Sequence, residues 1–345
     1  MIEEKSIHLN NRRDLKRKKR RQKMRRRRMI FYTILLVLVF IVIHIFSAVI
    51  HSFKKNDNKE VYFNWFLDKA YRDSIGVVRT KMPTYNNFSD GLNAIYDEFE
   101  FMKKELMPGE NHLVQANSYA YDTAEIRAYI RGEKKYTGKD KLVFLTFDDG
   151  PNTSITPQVL ATLKKNNVHG TFFVVGSRIT DKTYSILRKT VYNGNAIATH
   201  SFYHNYDILY PGRVADPDKI KEETQLTLAR LNKVFGDNFH SVPWRYPGGH
   251  MSWQNTAAAD QTVSAINVEW IDWNCMTGDA EPKKTRPTTS AGIIETLDKS
   301  LNQNLHTDVA VVLMHDATNK QLSADSLQDV IDYFKEHNYK FGILK

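Results

Sequence analysis

At 345 residues and 41% hydrophobic content, the chain has room for two domains, or for one large domain with an appendage, and enough apolar material for a sizeable core. Its net charge of +10 is concentrated at one end: residues 1–28 hold 14 Lys and Arg against 3 acids, while the remainder holds 35 basic and 36 acidic residues. So even a balance beyond the tail argues against a nucleic-acid-binding domain, and the single cysteine, Cys275, excludes an internal disulfide.

The basic tail abuts Met29 to Ile50, which contains no Lys, Arg, Asp or Glu and only His44 as an ionisable side chain. As a helix at roughly 1.5 Å per residue it reaches about 33 Å, enough to cross a bilayer core of about 30 Å. A cleaved signal peptide normally has a shorter apolar region and a small-residue cleavage site; this run ends Phe46-Ser47-Ala48-Val49-Ile50-His51, with no clear site of that kind. The reading is therefore a basic cytoplasmic tail (1–28) that would also attract anionic head groups, a single-pass membrane anchor (29–50), and an extracellular remainder.

Residues 51–60 are polar, and 61–135 carry helical signals. Leu92, Ile95, Phe99 and Met102 recur at three- and four-residue steps, and Asp122 to Ile130 reads similarly. Residues 51–139 are thus expected to form an extracellular stalk, a small helical region, or a helical layer packed on the next domain. Nothing in them suggests chemistry.

From Lys141 the pattern changes to alternation. Strand-like runs at 142–147, 170–175, 196–198, 268–271 and 309–314 are separated by helix-like ones at 157–166, 181–193 and 218–235, with a final helix at 326–337. Such alternation argues for a parallel sheet with covering helices. Residues 140–345 are expected to be an α/β catalytic domain, a distorted (β/α) barrel, with chemistry at the carboxyl ends of its strands.

The candidate residues fall at those ends. Val143 to Phe147 is followed by Asp148-Asp149-Gly150-Pro151-Asn152. This sequence also suits a plain turn, but neighbours on an extended backbone point to opposite sides, so one carboxylate could hold a metal while the other moves protons. Thr199-His200-Ser201-Phe202-Tyr203-His204 sets two histidines four apart, which on a helical turn would share one face and one ion. Two imidazoles and a carboxylate suit zinc first, with cobalt, manganese or nickel as alternatives. Trp244-Arg245-Tyr246-Pro247-Gly248-Gly249 offers a guanidinium at a strand end, able to hold a carboxylate. Trp270 to Asp279 combines Trp270 and Trp273 with acids, as a sugar-binding surface or as core packing. Val311 to Asp316 ends an apolar strand in His315.

In this order and spacing the five stretches resemble the motifs of the polysaccharide deacetylases with NodB homology, carbohydrate esterase family four. The resemblance covers roughly residues 140–345 and rests most on Thr146-Phe147-Asp148-Asp149-Gly150 and His200-Ser201-x-x-His204. It implies that Asp148 is the general base, that Asp149, His200 and His204 bind a divalent metal, and that Arg245 holds Asp148. It implies His315 as general acid, oriented by Asp279, with Leu313 lining the pocket for the acetyl methyl and a backbone N–H beside Tyr246 binding the oxyanion. Trp273 is a further candidate for pocket lining. Ala280 stands where many members carry Trp after the acid, which keeps Asp272 as an alternative partner for His315.

The function so implied is metal-dependent removal of N-acetyl groups from an extracellular polysaccharide, with N-acetylglucosamine of peptidoglycan as first choice. Another exported polymer such as poly-N-acetylglucosamine, an O-acetylated glycan, or a catalytically inactive glycan-binding wall protein remain alternatives. No nucleic-acid partner is expected, and the sequence does not give the oligomeric state.

Overall fold

The computed structural model describes residues 104–304 and 306–345. The basic tail, the expected membrane span and residues 51–103 lie outside them. Among the described residues no helix is long and apolar enough to cross a membrane. In chain order the elements are β1 (Ala120–Tyr121), α1 (Thr123–Ile130), β2 (Lys141–Gly150), α2 (Thr156–Asn166), β3 (Gly170–Val174), α3 (Tyr184–Tyr192), β4 (Ala196–Thr199), α4 (Tyr206–Leu209), α5 (Pro217–Phe235), β5 (Pro243–Trp244), α6 (Thr256–Ser264), β6 (Glu269–Trp270), β7 (Cys275–Met276), α7 (Ser290–Asn302), β8 (Val309–His315), α8 (Gln321–Asp325), α9 (Leu327–Glu336), β9 (Tyr339–Phe341) and β10 (Ile343–Leu344), with short 3-10 turns between some of them.

The main sheet runs β6-β5-β4-β3-β2-β8-β7, with β9 beside the start of β2, and every pairing in it is parallel. A parallel sheet covered on both faces needs strands that are apolar throughout rather than alternating, and β2 is buried from Leu142 to Asp148. The two faces of β2 feed different cores. Val143, Leu145 and Phe147 pack with the outer helices, whereas Leu142 and Phe144 join Val309 and Val311 of β8, Phe173, Ala198 and Ile271 on the inner face. The curl of the sheet makes this inner face the interior of a half-barrel, open between β6 and β7, which share no ladder.

Residues 104–139 belong to this packing, so the expected boundary between 139 and 140 does not divide it. β1 pairs with β10 at the other end of the chain, and Leu113 and Ala116 lie in the outer core. Asn111 Nδ2 donates to the carbonyls of Ile197 and Leu344, both at 3.0 Å. α1 starts at Asp122, whose side chain accepts from Glu125 N–H and so satisfies one of the free first-turn donors. It packs against both β6 and β8, with Ile126 and Ile130 in the inner core, and thereby covers the open side. Arg127 ties it there, donating to Trp270 O at 2.7 Å and to Glu269 Oε2 at 2.9 Å.

Candidate active site

The site stands at the carboxyl ends of five strands. In β2 the inner-face parity that places Leu142 and Phe144 in the interior continues to Thr146 and Asp148. At Asp149 the ladder breaks: Asp148 pairs with Phe173 and Gly150 with Val174, leaving Asp149 as the extra residue of a bulge, at φ 74°. Bulges re-aim a side chain. Here the bulge turns a carboxylate that regular alternation would send outward toward the histidines that follow β4.

Those histidines do not sit on a helical turn, as the spacing predicts. Residues 200–205 form an irregular loop in which Ser201 and His204 have φ of 59° and 56°. The convergence survives the correction. One ligand atom from each of Asp149, His200 and His204 lies within 4.8 Å of the others. His204 Nε2 is 3.3 Å and His200 Nε2 is 3.9 Å from Asp149 Oδ1. His200 Nδ1 lies 2.9 Å from Arg245 O; a carbonyl can only accept, so Nδ1 carries the proton and Nε2 presents a lone pair to the cluster. Burial, the largest cause, lowers both histidines to about 4, outweighing the nearby Asp149 carboxylate, so both imidazoles are neutral near pH 7. Burial pushes Asp149 up, but the histidines and Arg178 around it outweigh this and hold it below the usual carboxylate range. Asp149 Oδ1 is buried without a hydrogen bond. Neutral imidazole lone pairs facing an unsatisfied carboxylate oxygen are a donor set that fits a divalent cation.

Asp148 is held from the other side. Arg245, fully buried, donates from Nη1 to Asp148 Oδ1 at 2.9 Å and to Thr146 Oγ1 at 2.7 Å, and its other nitrogens reach the carbonyls of Ile271 and Asp272. Its guanidinium also lies over the Phe173 ring at 4.0 Å. One arginine thus links the ends of β2, β5 and β6. Burial raises the pKa of Asp148, with Arg245 and His315 opposing. Its other oxygen, Oδ2, faces His200 Nε2 at 3.8 Å.

His315 ends β8 on the inner face. Its Nδ1 is 2.8 Å from Asp279 Oδ1, its backbone N–H donates to Asp279 Oδ2, and Ser323 Oγ donates to the same oxygen at 2.6 Å. The structure therefore pairs His315 with Asp279. Asp272 serves elsewhere, its Oδ1 accepting from His250 N–H. Burial would lower His315, but Asp279 outweighs it and raises the imidazole above its ordinary value; Asp279 is correspondingly lowered, the partner histidine overcoming its own burial.

The expected substrate contacts divide. Leu313 lies on the inner face two residues before His315, largely buried. The Tyr246 side chain is wholly buried, its hydroxyl donating to Asp260 Oδ1 at 2.6 Å, so only its backbone can serve a ligand; its N–H donates to no group among the described residues. Trp273 is partly buried against the inner core and Gly249: at φ 84° a Cβ on that glycine would meet its ring at 2.7 Å.

Sequence reasoning missed an aromatic flank. Tyr206 is 43% exposed, its ring 5.4 Å from that of His204 and 5.2 Å from that of Trp253, with Tyr203 and Met251 more exposed still. The Tyr203–Tyr206 spacing beside the histidines was the available signal. It also missed Asp316, buried behind the site and pushed by burial up to about 7, with Oδ2 accepting from Thr156. No pattern singles that residue out.

A polysaccharide deacetylase family model matches residues 135–265. A CE4 esterase of Streptococcus mutans has the same fold with a TM-score of 0.66 and 43% identity, over 70% of this chain and 98% of that one. The chain belongs to the polysaccharide deacetylase family. Among curated relatives in this family, the peptidoglycan-N-acetylglucosamine deacetylase PgdA of Listeria monocytogenes is 31% identical over 207 residues, which are 59% of this chain and 38% of that protein. The peptidoglycan-N-acetylmuramic acid deacetylase PdaA of Bacillus subtilis is 29% identical over 205 residues, covering 59% of this chain and 70% of the relative. The chain thus spans well under half of its Listeria relative.

Proposed function

We propose that this protein hydrolyses N-acetyl groups on peptidoglycan, with N-acetylglucosamine as the sugar, using a divalent ion held by Asp149, His200 and His204. The observation that carries this reading is the pairing of two differently tuned groups around one cluster: Asp148 braced by Arg245, and His315 braced by Asp279. A binding protein needs neither pair. A bound divalent ion supplies Lewis acidity to water and to the acetyl carbonyl.

The chain's own residues supply the rest. Asp148, with Oδ1 fixed on Arg245, keeps Oδ2 to take a proton from water as its oxygen bonds to the amide carbon. Its raised pKa makes it a stronger base than an ordinary aspartate. The oxyanion that forms is met by the Tyr246 N–H. His315, with Nδ1–H on Asp279, has Nε2–H for the leaving nitrogen; that proton is delivered as the C–N bond breaks, giving acetate and a free amine on the sugar. Leu313 and Trp273 border the space for the acetyl methyl, and Tyr206 offers a face for the sugar ring.

The names of the relatives support peptidoglycan as substrate. PdaA favours a second sugar, N-acetylmuramic acid. Acetate release from defined peptidoglycan, followed by mass analysis of digested fragments, tests the activity and separates the two sugars; release only from O-acetylated glycan contradicts both. The membrane anchor over 29–50 and an extracellular active domain are part of the same proposal, supported by the apolar run beside the basic tail. Cell fractionation and accessibility of the catalytic domain to external protease test them.

A further inference from the structure

The buried face of α5 contains a residue that this chemistry does not use. Ile220, Leu231 and Val234 form the apolar stripe expected of a covering helix, yet Glu223 and Thr227 stand in the same stripe. Glu223 is 3% exposed, forms no ion pair among the described residues, and leaves Oε1 buried without a partner. Burying a carboxylate without a countercharge is costly, so its location calls for a compensating interaction.

That interaction is with the metal-ligand loop. Glu223 Oε2 accepts from Phe202 N–H at 2.8 Å and from Tyr203 N–H at 3.0 Å, two successive amides between His200 and His204. One helical turn along, the single proton of Thr227 Oγ1 is shared between Ser201 O at 2.9 Å and Glu223 O of its own helix at 2.8 Å, and Ser201 Oγ accepts from His204 N–H at 3.0 Å. Every residue from Ser201 to His204 is therefore fixed, directly or through Ser201, by α5. The loop needs such support, because Ser201 and His204 both occupy the left-handed region, which is unfavourable for an L-residue. Neither amide has a backbone acceptor among the described residues, and Glu223 takes that place.

We propose that Glu223 is a positioning residue for the metal site, its carboxylate holding residues 202 and 203 in the conformation that brings both imidazoles to Asp149. The proposal rests on the reading of Asp149, His200 and His204 as metal ligands. The sequence carried a signal for it, an acid among apolar residues on one helix face, but gave no hint of its partner.

The test is cobalt binding to the full-length, detergent-solubilised protein, freed of metal and titrated with Co²⁺ while its visible absorption is followed. Wild type is expected to take up one equivalent, and Glu223→Ala to bind about 10–100-fold more weakly, as outer groups behind metal ligands typically do. Glu223→Gln, whose amide oxygen replaces Oε2, is expected to retain most of the affinity, and Thr227→Val to lose several-fold. Wild-type affinity in Glu223→Ala with a lowered metal-free melting temperature would show a purely structural role and overturn the proposal. If Glu223→Ala does not fold, wild-type affinity in Thr227→Val overturns it instead, as does loss in Glu223→Gln equal to that expected of Ala. The His204→Ala variant distinguishes the underlying reading: unchanged cobalt affinity there removes the metal site itself.

Discussion

Asp148 and His315 stand opposite each other in register across β2 and β8, both on the inner face of the sheet. Neighbouring strands lie about 4.8 Å apart, so the ladder that stabilises the domain also sets the separation of the proposed proton acceptor and proton donor. Each group is then braced from its far side, Asp148 by Arg245 and His315 by Asp279. The two therefore face one space from adjacent strands without competing for the same partner.

This arrangement predicts a bell-shaped pH profile displaced upward. Activity needs Asp148 ionised and His315 protonated. The acidic limb then follows Asp148, raised by burial, and the basic limb follows His315, raised by Asp279. Replacing Asp279 with Asn removes the charge that raises the imidazole, so the basic limb moves to lower pH while the acidic limb stays. The pH dependence of kcat/KM for both proteins, each reconstituted with the same metal, checks this; a basic limb unmoved in Asp279→Asn contradicts it.

Arg245 carries structure as well as chemistry. It is wholly buried, pairs with Asp148 and reaches three further oxygen acceptors. Arg245→Met leaves the Asp148 carboxylate buried and unpaired, and a broken buried pair costs about 3–5 kcal/mol. Urea unfolding is expected to show a loss of that size. The Asp148→Asn, Arg245→Met double variant is expected to recover part of it, because neither charge of the pair is then left buried alone.

Much of this was legible in the sequence because buried parallel strands are nearly continuous apolar runs. β2 and β8 could be read directly, along with the acids and histidine at their ends, and α5 fell within one residue of its expected start. The convergence of His200 and His204 was also legible, but not its cause: a helical spacing of four hid a loop with two left-handed residues held by Glu223. The helix at 256–264 has a weak stripe and escapes a reading by periodicity, whereas the helix at 290–302 was missed although Ile293, Leu297 and Leu301 form a regular stripe. The packing of residues 104–139 was legible only as one of three alternatives, a helical layer on the next domain, and the pairing of Ala120 with Ile343 was not legible, since it joins residues far apart in the chain.

That pairing makes a further prediction. A chain starting at residue 140 loses β1, α1 and the Asn111 contacts, exposing the inner core between β6 and β8. It is expected to show no cooperative thermal transition. In the full chain, Leu113→Ala, at a site in the outer core, is expected to cost about 2–5 kcal/mol. A stable, cooperatively folding 140–345 fragment would show that the preceding segment only decorates the domain.

The aromatic flank is proposed to bear on substrate rather than on chemistry. Tyr206 lies beside His204 and Trp253 and is partly open to solvent. Tyr206→Ala is expected to raise KM for glycan oligomers by roughly 10-fold, the equivalent of about 1.4 kcal/mol of ring contact, with little change in kcat. Steady-state kinetics on chitooligosaccharides checks this, and a kcat effect with unchanged KM would place Tyr206 in the chemical step instead.

The central claim, that Asp148 moves the proton of an attacking water beside a metal held by other residues, is tested most directly by Asp148→Asn. The measurement is acetate release from defined peptidoglycan by wild-type and Asp148→Asn protein, with metal content determined on the same samples. The account predicts full metal occupancy in both and a loss of about 10²–10⁴-fold in the rate of the variant. Acetate release at the wild-type rate by metal-loaded Asp148→Asn would contradict it.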